Sequence, residues 1–380
     1  MKIAFYLNVI SPHQLPLARE VAREIGEENF RYVYAEDFLA DRKAIGWDDV
    51  DVLPWCIKGD ENTSELIEAD LVYTGIRCLD LMARRSAIGK CTVYYSERWF
   101  KPPIGIFRLL SPSYLCKARR FVGLLSAGNA MYFPVGVHAV RDMAQLSGIM
   151  HGDLRCLFRA PRLEFEQKPG GRFILAAENS KDAKKYFLDK MWMWGYFVEK
   201  SDGVGSNGVK ELKDQESHAL RVLWVGRLLR LKRVDTVIRA VCELSTRLNI
   251  TLDIYGTGPE EMRLKRLSAK HGDIIKFYPP VPIDEVRKLM REHDVYVLAS
   301  NAYEGWGAVV SEALEEGMRV LGTYEAGASA TILPKECLFQ AGDRRALLSL
   351  LDQESKGQLP PCSIGEWTAE VAARRLVDFA

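Results

Sequence analysis

The chain has 380 residues, of which 48% are hydrophobic and 27% are charged. This length and composition suit two domains with hydrophobic cores of ordinary size, and they exclude an intrinsically disordered chain. The 52 Lys and Arg residues are balanced by 51 Asp and Glu residues, so no overall positive field indicates a nucleic-acid partner.

The cysteines and the N-terminus indicate a cytoplasmic protein. Eight cysteines are spread along the sequence without Cys-x-x-Cys spacing or a histidine at zinc-ligand spacing, as expected for buried thiols in a reducing compartment. The first ten residues hold one Lys and a short apolar run without a small-residue cleavage site, which predicts a strand rather than a signal peptide. No segment reaches the roughly 18 to 20 apolar residues of a membrane span.

In the first half, short apolar runs alternate with amphipathic stretches. This alternation predicts an α/β fold with a parallel sheet and helices on its faces. The predicted strands lie at 3–9, 31–35, 71–74, 92–95 and 130–134, and a helix is predicted at 15–25. Residues 156–195 are rich in aromatic side chains and give no clear pattern.

A polar stretch at 199–218 separates two patterned halves and is interpreted as an interdomain linker. Its residues 203–208 match the Gly-x-Gly-x-x-Gly dinucleotide pattern, but no apolar strand precedes them, so we reject that interpretation. The predicted organisation is an N-terminal domain at 1–198, a C-terminal domain at 219–362, and a final segment at 363–380 whose helix, at 364–379, packs back on the N-terminal domain.

The second half predicts a doubly wound domain. Its predicted strands lie at 221–225, 250–255, 274–278, 295–299 and 319–322, and its helices at 234–244, 259–270, 283–293 and 308–317. In such folds ligands bind outside the carboxyl ends of the strands. Those ends carry Gly226 with Arg227, then Gly256 and Gly258, and then a loop that includes Glu304.

Two carboxylates follow the strand at 295–299. Glu304 is placed in the loop, where Gly305 and Gly307 allow a sharp turn, and Glu312 is placed just inside the next helix. Carboxylates of this kind accept hydrogen bonds from sugar hydroxyls, and the free amides at the start of the helix donate to an anion. Two solvated surface glutamates remain the alternative.

Two cations follow the strand at 221–225. Arg227 offers a rigid fork of donors and Lys232 a mobile point charge, a combination suited to a diphosphate. Each of them could instead be an ordinary surface charge.

Taken together, residues 221–333 resemble the nucleotide-binding domain of glycosyltransferase family 4, which has the GT-B fold of two facing Rossmann-like domains with a cleft between them. The matching segments are 225–228 with Lys232, 255–259, 294–300, and 304–313, which contains the Glu-x7-Glu motif of Glu304 and Glu312. The resemblance implies that Arg227 and Lys232 hold the diphosphate, that Glu304 binds the transferred sugar and that Glu312 binds the ribose. It also implies a donor-binding set of Gly226, Gly256, Gly258, Gly305, Trp306, Gly307 and Ala308.

The resemblance implies a retaining, metal-independent glycosyltransferase that uses a UDP or GDP sugar as donor and needs no other cofactor. The acceptor would be a glycan or a lipid-linked glycan, as in the synthesis of cell-surface polysaccharide or lipopolysaccharide. A nucleotide-sugar epimerase of the same fold is the alternative, and a non-catalytic two-domain sugar-binding protein is an alternative of another class. The Asp49-Val50-Asp51 sequence resembles a metal-binding Asp-x-Asp, but it lies in a polar stretch of the other half, and no metal site is predicted.

Candidate residues in the N-terminal half are fewer. His13 follows the first predicted strand and is assigned to the acceptor or the donor-phosphate side, although a hydrogen-bonded loop histidine is equally compatible. Glu97 and Arg98, after the strand at 92–95, are candidates for the acceptor side.

One segment of the N-terminal half is strongly basic. From Arg98 to Arg141 there is no Asp or Glu, and the cations, which include Lys117, Arg119 and Arg120, alternate with large apolar residues. This composition is typical of a segment that lies on an anionic membrane surface. The alternative is a loop and helix docked within the domain, and the sequence does not choose between them. The protein is therefore predicted to be cytoplasmic, with peripheral membrane contact as one possibility.

Overall fold

The computed structural model describes residues 1–37, 52–175, 186–199 and 219–380. Residues 200–218 of the predicted linker, which contain the rejected glycine pattern, and the Asp49–Asp51 sequence lie outside the described residues. The chain forms two compact units. The first contains the described residues up to 199 together with 366–380, and the second contains residues 219–365.

The first unit is built on a six-stranded parallel sheet in the order β3-β2-β1-β4-β5-β6. Its strands are β1 (Ile3–Leu7), β2 (Phe30–Tyr34), β3 (Cys56–Lys58), β4 (Leu71–Thr74), β5 (Cys91–Ser96) and β6 (Ala130–Pro134). Its helices are α1 (Leu15–Ile25), α2 (Ser64–Glu68), α3 (Leu79–Ala87), α4 (Pro112–Ala127) and α5 (Val137–Met150). A two-stranded antiparallel sheet, β7 (Leu163–Phe165) and β8 (Phe173–Leu175), follows them. All five residues of the central strand β1 are buried, because helices cover both faces of a parallel sheet.

The second unit repeats this topology, with the order β11-β10-β9-β12-β13-β14. Its strands are β9 (Leu220–Val225), β10 (Ile250–Tyr255), β11 (Ile275–Tyr278), β12 (Val295–Leu298), β13 (Arg319–Thr323) and β14 (Leu338–Phe339). Its helices are α6 (Val234–Leu244), α7 (Glu261–Ser268), α8 (Ile283–Glu292), α9 (Val309–Glu315), α10 (Gly327–Ile332) and α11 (Arg344–Ser355). The strand order reverses between β9 and β12, so loops after these two strands flank the crevice where doubly wound sheets bind ligands.

The predicted α/β class with parallel sheets is confirmed in both units. The last helix, α12 (Ala369–Val377), is shorter than the predicted 364–379. Thr368 ends the extended segment before it, because its backbone bridges to Val198 and its hydroxyl accepts a hydrogen bond from the Val371 amide at 3.4 Å. Trp367 therefore lies outside the helix and stacks on Phe197, with ring centroids 6.3 Å apart.

Helix α12 belongs to the first unit and packs against α1. Its buried residues are Ala369, Ala372, Ala373 and Leu376, and the three alanines allow the two helices to approach closely. Within the described ranges, no helix combines the length and the apolar character needed to cross a bilayer.

Candidate functional site

The glycines at the ends of β9 and β10 pack backbone against backbone. A Cβ atom on Gly256 would lie 1.9 Å from the Gly226 carbonyl oxygen, and one on Gly258 would lie 2.6 Å from the Leu228 carbonyl oxygen. The Leu228 amide donates to the Thr257 carbonyl at 2.8 Å. The two loops therefore form one unit at the strand ends, and Gly256, with a φ of 144°, is required there by close packing.

The two predicted diphosphate ligands differ in their surroundings. The Arg227 side chain is exposed, and it makes no hydrogen bond or ion pair within residues 219–380. Lys232 ends a short 3₁₀ turn, Arg230–Lys232, and its Nζ lies 2.5 Å from Glu304 Oε2. The Lys232 and Glu304 side chains are only 21% and 13% exposed, so this ion pair is shielded from solvent.

The loop that carries Glu304 is held in place by its backbone. The Asn301 amide donates to the Leu231 carbonyl at 2.9 Å, and the Glu304 amide donates to the Asn301 carbonyl at 2.9 Å. Gly307, with a φ of 87°, turns the chain into α9, which begins at Val309 and ends at Glu315 rather than spanning the predicted 308–317. The two strand-end loops, after β9 and β12, are therefore tied to each other.

Both predicted carboxylates influence the same buried tyrosine. Tyr296 lies on β12, and its hydroxyl donates to the Val225 carbonyl at 3.1 Å. Burial raises the pKa of Tyr296, and the charges of Glu304 and Glu312 raise it further. Glu312 is half-buried in the first turn of α9. Glu304 and Glu312 therefore both lie near Tyr296, and their roles in donor binding stay predictions.

The predicted donor-binding role of Trp306 is restricted to its backbone. Its side chain is 1% exposed and belongs to the core, so only its backbone can face a donor. The Gly305 and Trp306 carbonyls accept hydrogen bonds from the Gly327 and Ala328 amides, at 3.0 and 2.8 Å. The first two amides of α10 therefore hold the glycine loop in shape.

In the first unit, His13 follows β1, and its backbone amide donates to Ser11 Oγ at 3.3 Å. Its ring stacks on Tyr196, with centroids 6.1 Å apart. Glu97 follows β5 and pairs with Lys101, at 2.6 Å. These two side chains follow strands of the first sheet. The acceptor or donor-phosphate role of His13 and the acceptor-side role of Glu97 stay predictions.

Arg98 has a structural partner. Its guanidinium lies 3.4 Å from both carboxylate oxygens of Asp142 on α5. Asp142 is buried and also accepts a hydrogen bond from the Phe100 amide at 2.8 Å. Burial raises the pKa of the Asp142 carboxyl, and the Arg98 charge counteracts that effect. Arg98 therefore neutralises a buried carboxylate, and its acceptor-side role stays a prediction.

Arg77 is a candidate that the sequence analysis missed. It follows β4, the strand beside β1 at the point where the order of the first sheet reverses, and its guanidinium carbon lies 4.4 Å from the centroid of the Trp99 ring. The strand at 71–74 was predicted. The rule that selected Arg227, which looks for ligand-binding residues just after a strand, would therefore also have selected Arg77. Among the described residues, no group of three or more His, Cys, Asp or Glu side chains has an arrangement that could hold a metal ion.

Comparison with known proteins finds a family match that falls mainly in the second unit. Residues 210–358 match the family described as Glycosyl transferases group 1. The uncharacterized glycosyltransferase MJ1069 of Methanocaldococcus jannaschii is 25% identical over 142 residues, which cover 37% of this chain and 36% of that protein. The GtfA subunit of the UDP-N-acetylglucosamine–peptide N-acetylglucosaminyltransferase of Streptococcus pneumoniae is 31% identical over 122 residues, which cover 31% of this chain and 24% of that protein.

Solved structures resemble the whole chain. Anabaena Alr3699/HepE in complex with UDP has a TM-score of 0.57 at 15% identity, covering 100% of this chain and 94% of that chain. The lipopolysaccharide outer core galactosyltransferase WaaB has a TM-score of 0.63 at 12% identity, covering 100% and 99%. The predicted GT-B fold is therefore confirmed. The group 1 domain and the relatives also support the predicted enzyme class, although the matches span little more than a third of the relatives' length at most.

Proposed function

We propose that this chain is a glycosyltransferase that moves a sugar from a nucleotide diphosphate sugar to a glycan or lipid-linked glycan acceptor. The group 1 domain at residues 210–358 supports the transferase class. The relatives described above carry transferase names, which argues against the epimerase alternative.

The observation that carries the proposal is the meeting of Lys232 and Glu304 at the ends of β9 and β12. A diphosphate at Lys232 would replace Glu304 as the counter-charge of the lysine. The Glu304 carboxylate would then be available to accept hydrogen bonds from the hydroxyls of the sugar, beside the phosphates. Arg227, exposed and without an ion pair in the second unit, would add a second cation to the diphosphate.

We propose a UDP sugar as the donor, with a GDP sugar as the alternative to be tested. A fold neighbour has been solved with UDP-glucose, and the GtfA relative is named for UDP-N-acetylglucosamine. We further propose that the reaction retains the anomeric configuration and needs no metal, because Arg227 and Lys232 would supply the positive charge that stabilises the departing diphosphate. Transfer that continues in excess chelator would support the second point, and an NMR assignment of the product anomer would decide the first.

A thermal-shift panel of UDP and GDP sugars tests donor binding. The melting temperature of the wild-type chain should rise with its donor, and the rise should be smaller for Arg227→Ala. Arg239→Ala is the matched control, because Arg239 is an exposed arginine on α6 away from the strand ends. Absence of any nucleotide effect would overturn the proposal in favour of a non-catalytic sugar-binding protein.

A second assay separates transfer from binding alone. The donor that gives the largest shift should release its nucleotide faster when a glycan acceptor is added, and a labelled sugar should appear on that acceptor. Donor binding without transfer to any member of an acceptor panel would leave only the binding part of the proposal standing.

A further inference from the structure

An exposed row of apolar side chains precedes α4. The 3₁₀ segment Gly105–Leu110 and the residue before it carry Ile104, Phe107 and Leu110, whose side chains are 52%, 69% and 80% exposed. A 3₁₀ helix has three residues per turn, so residues spaced by three lie above one another on one face. These three residues form an apolar row, which is more than the scattered single apolar residues of an ordinary surface.

The apolar row is held in a defined position. The 3₁₀ segment packs against α4, and Arg108 lies over the Tyr114 ring at 5.9 Å from its centroid. The Tyr114 hydroxyl in turn donates to the Trp99 carbonyl at 2.7 Å. The apolar row is therefore fixed to the first unit by neighbouring residues, and its own three side chains stay exposed.

Helix α4 is amphipathic, and it uses only one face to pack. Ala118, Phe121, Val122 and Leu125 are buried, whereas the opposite side exposes a basic face of Lys117, Arg119 and Arg120. Arg120 pairs with Asp80 at 2.6 Å. Within the described part of the first unit, neither Lys117 nor Arg119 makes an ion pair. The two interpretations of the basic segment are thus compatible, since α4 docks through its apolar side and leaves its cations exposed.

We propose that the apolar row and the basic face together bind an anionic lipid bilayer, with Ile104, Phe107 and Leu110 inserted among the lipids and Lys117 and Arg119 at the headgroups. The charge of the segment selects this partner, because residues 98–141 contain no Asp or Glu to repel an anionic surface. Each basic residue near such a surface increases partition by roughly five-fold. This inference goes beyond the proposed donor chemistry and does not depend on it.

Sedimentation with vesicles tests the proposal without any donor. The wild-type chain should pellet with vesicles that contain phosphatidylglycerol, pellet much less with pure phosphatidylcholine, and be released by added salt. Phe107→Ser combined with Leu110→Ser, and Lys117→Gln combined with Arg119→Gln, should each lower the bound fraction at limiting lipid about ten-fold or more. Equal binding of the wild type and both variants would overturn the proposal.

Matched controls come from the second unit. Met262→Ser with Ile283→Ser removes two other exposed apolar side chains, and Arg239→Gln with Lys276→Gln removes two other exposed cations. Both controls should bind vesicles as the wild type does, and unchanged melting temperatures should show that every variant is folded. If Phe107→Ser with Leu110→Ser instead abolishes self-association measured without lipid, the apolar row is a contact between copies of the chain and the membrane proposal is wrong.

Cys116 gives an independent measurement. All eight cysteines lie in the described residues, and Cys116, which precedes Lys117 on α4, is the one that is exposed. A polarity-sensitive maleimide dye on Cys116 should shift its emission to shorter wavelength when phosphatidylglycerol vesicles are added, and phosphatidylcholine vesicles should produce no such shift. An identical response to both lipids would contradict binding through the basic face.

Discussion

Lys232 Nζ and Glu304 Oε2 lie 2.5 Å apart, although the two residues are separated by 72 positions in the sequence. They come from the loops after β9 and β12, which are tied together by the hydrogen bond from the Asn301 amide to the Leu231 carbonyl. The pair places a cation for phosphate and an acceptor for sugar hydroxyls within one contact distance. A ligand that carries both groups, joined as in a nucleotide diphosphate sugar, would engage them together.

Lys232→Ala should weaken the binding of the nucleotide diphosphate. The substitution removes a charge-assisted contact of roughly 1.5 to 3 kcal/mol, so the dissociation constant should rise about ten-fold to a hundred-fold. Isothermal titration calorimetry with UDP and GDP measures this directly. Lys270→Ala removes an exposed lysine after α7 and should leave the affinity unchanged. Affinity that is equal in Lys232→Ala and the wild type would exclude Lys232 from the diphosphate site.

Glu304→Gln should reduce turnover more than it reduces stability. The glutamine keeps the shape of the side chain but loses the charge that orients the sugar, so kcat should fall about ten-fold or more. The glutamine amide oxygen can still accept a hydrogen bond from Lys232, so the free energy of unfolding should fall by only about 1 kcal/mol. Steady-state kinetics gives kcat, and urea unfolding of the same preparations gives the free energy of unfolding. Glu285→Gln, which breaks the exposed pair of Glu285 with Lys288 on α8, is the control and should change neither by much. Turnover equal to the wild type would remove Glu304 from the site.

Gly256→Ala should destabilise the second unit. The new Cβ would lie 1.9 Å from the Gly226 carbonyl oxygen, and the φ of 144° is unfavourable for alanine. We expect the free energy of unfolding to fall by about 2 to 4 kcal/mol, with a parallel loss of donor affinity because the loop of Arg227 must move. Gly272→Ala is the comparison, since a Cβ there meets no atom within 4 Å and the backbone is helical, with a φ of −68°. Similar stabilities for the two variants would show that the strand-end loops are not packed as described.

The sequence predicted the second unit more completely than the first. Its strands are short apolar runs buried between helices, and α6 and β10 lie within the predicted boundaries. In the first unit, the cations of α4 interrupt its apolar spacing, and a docked helix there was only one of two interpretations left open. Residues 156–195 also gave no pattern. Met191 and Trp194 in this stretch bridge to Tyr132, within β6, and to Val135, just beyond it, and this pairing depends on tertiary contacts.

In the candidate site, too, local sequence patterns located individual residues but not the contacts between them. The rule that ligands meet the carboxyl ends of parallel strands selected Arg227, Lys232 and Glu304 as candidates from their positions, and their roles stay predictions. The ion pair between Lys232 and Glu304 was not predicted, because the family resemblance assigned the two residues to different parts of a donor. The contact of Arg98 with Asp142 was missed for a related reason: it joins residues 44 positions apart, and local patterns carry no information about such a distance.

Cys337 and Cys362 should form a disulfide under oxidation, because their Sγ atoms lie 3.3 Å apart in the core of the second unit. The hydrogen bond from Cys337 and the nearby Arg319 guanidinium lower the pKa of the Cys362 thiol. A lowered pKa leaves more reactive thiolate near neutral pH, so oxidation should accelerate from mildly acidic to mildly alkaline solution.

With diamide as the two-electron oxidant, both thiols lose their hydrogen atoms, and diamide takes up the two electrons and two protons. Mass spectrometry should show the loss of two hydrogen atoms and a crosslinked peptide pair. Cys362→Ser should abolish this product and Cys242→Ser should not, whereas equal mass loss in both variants would assign the oxidation to other cysteines.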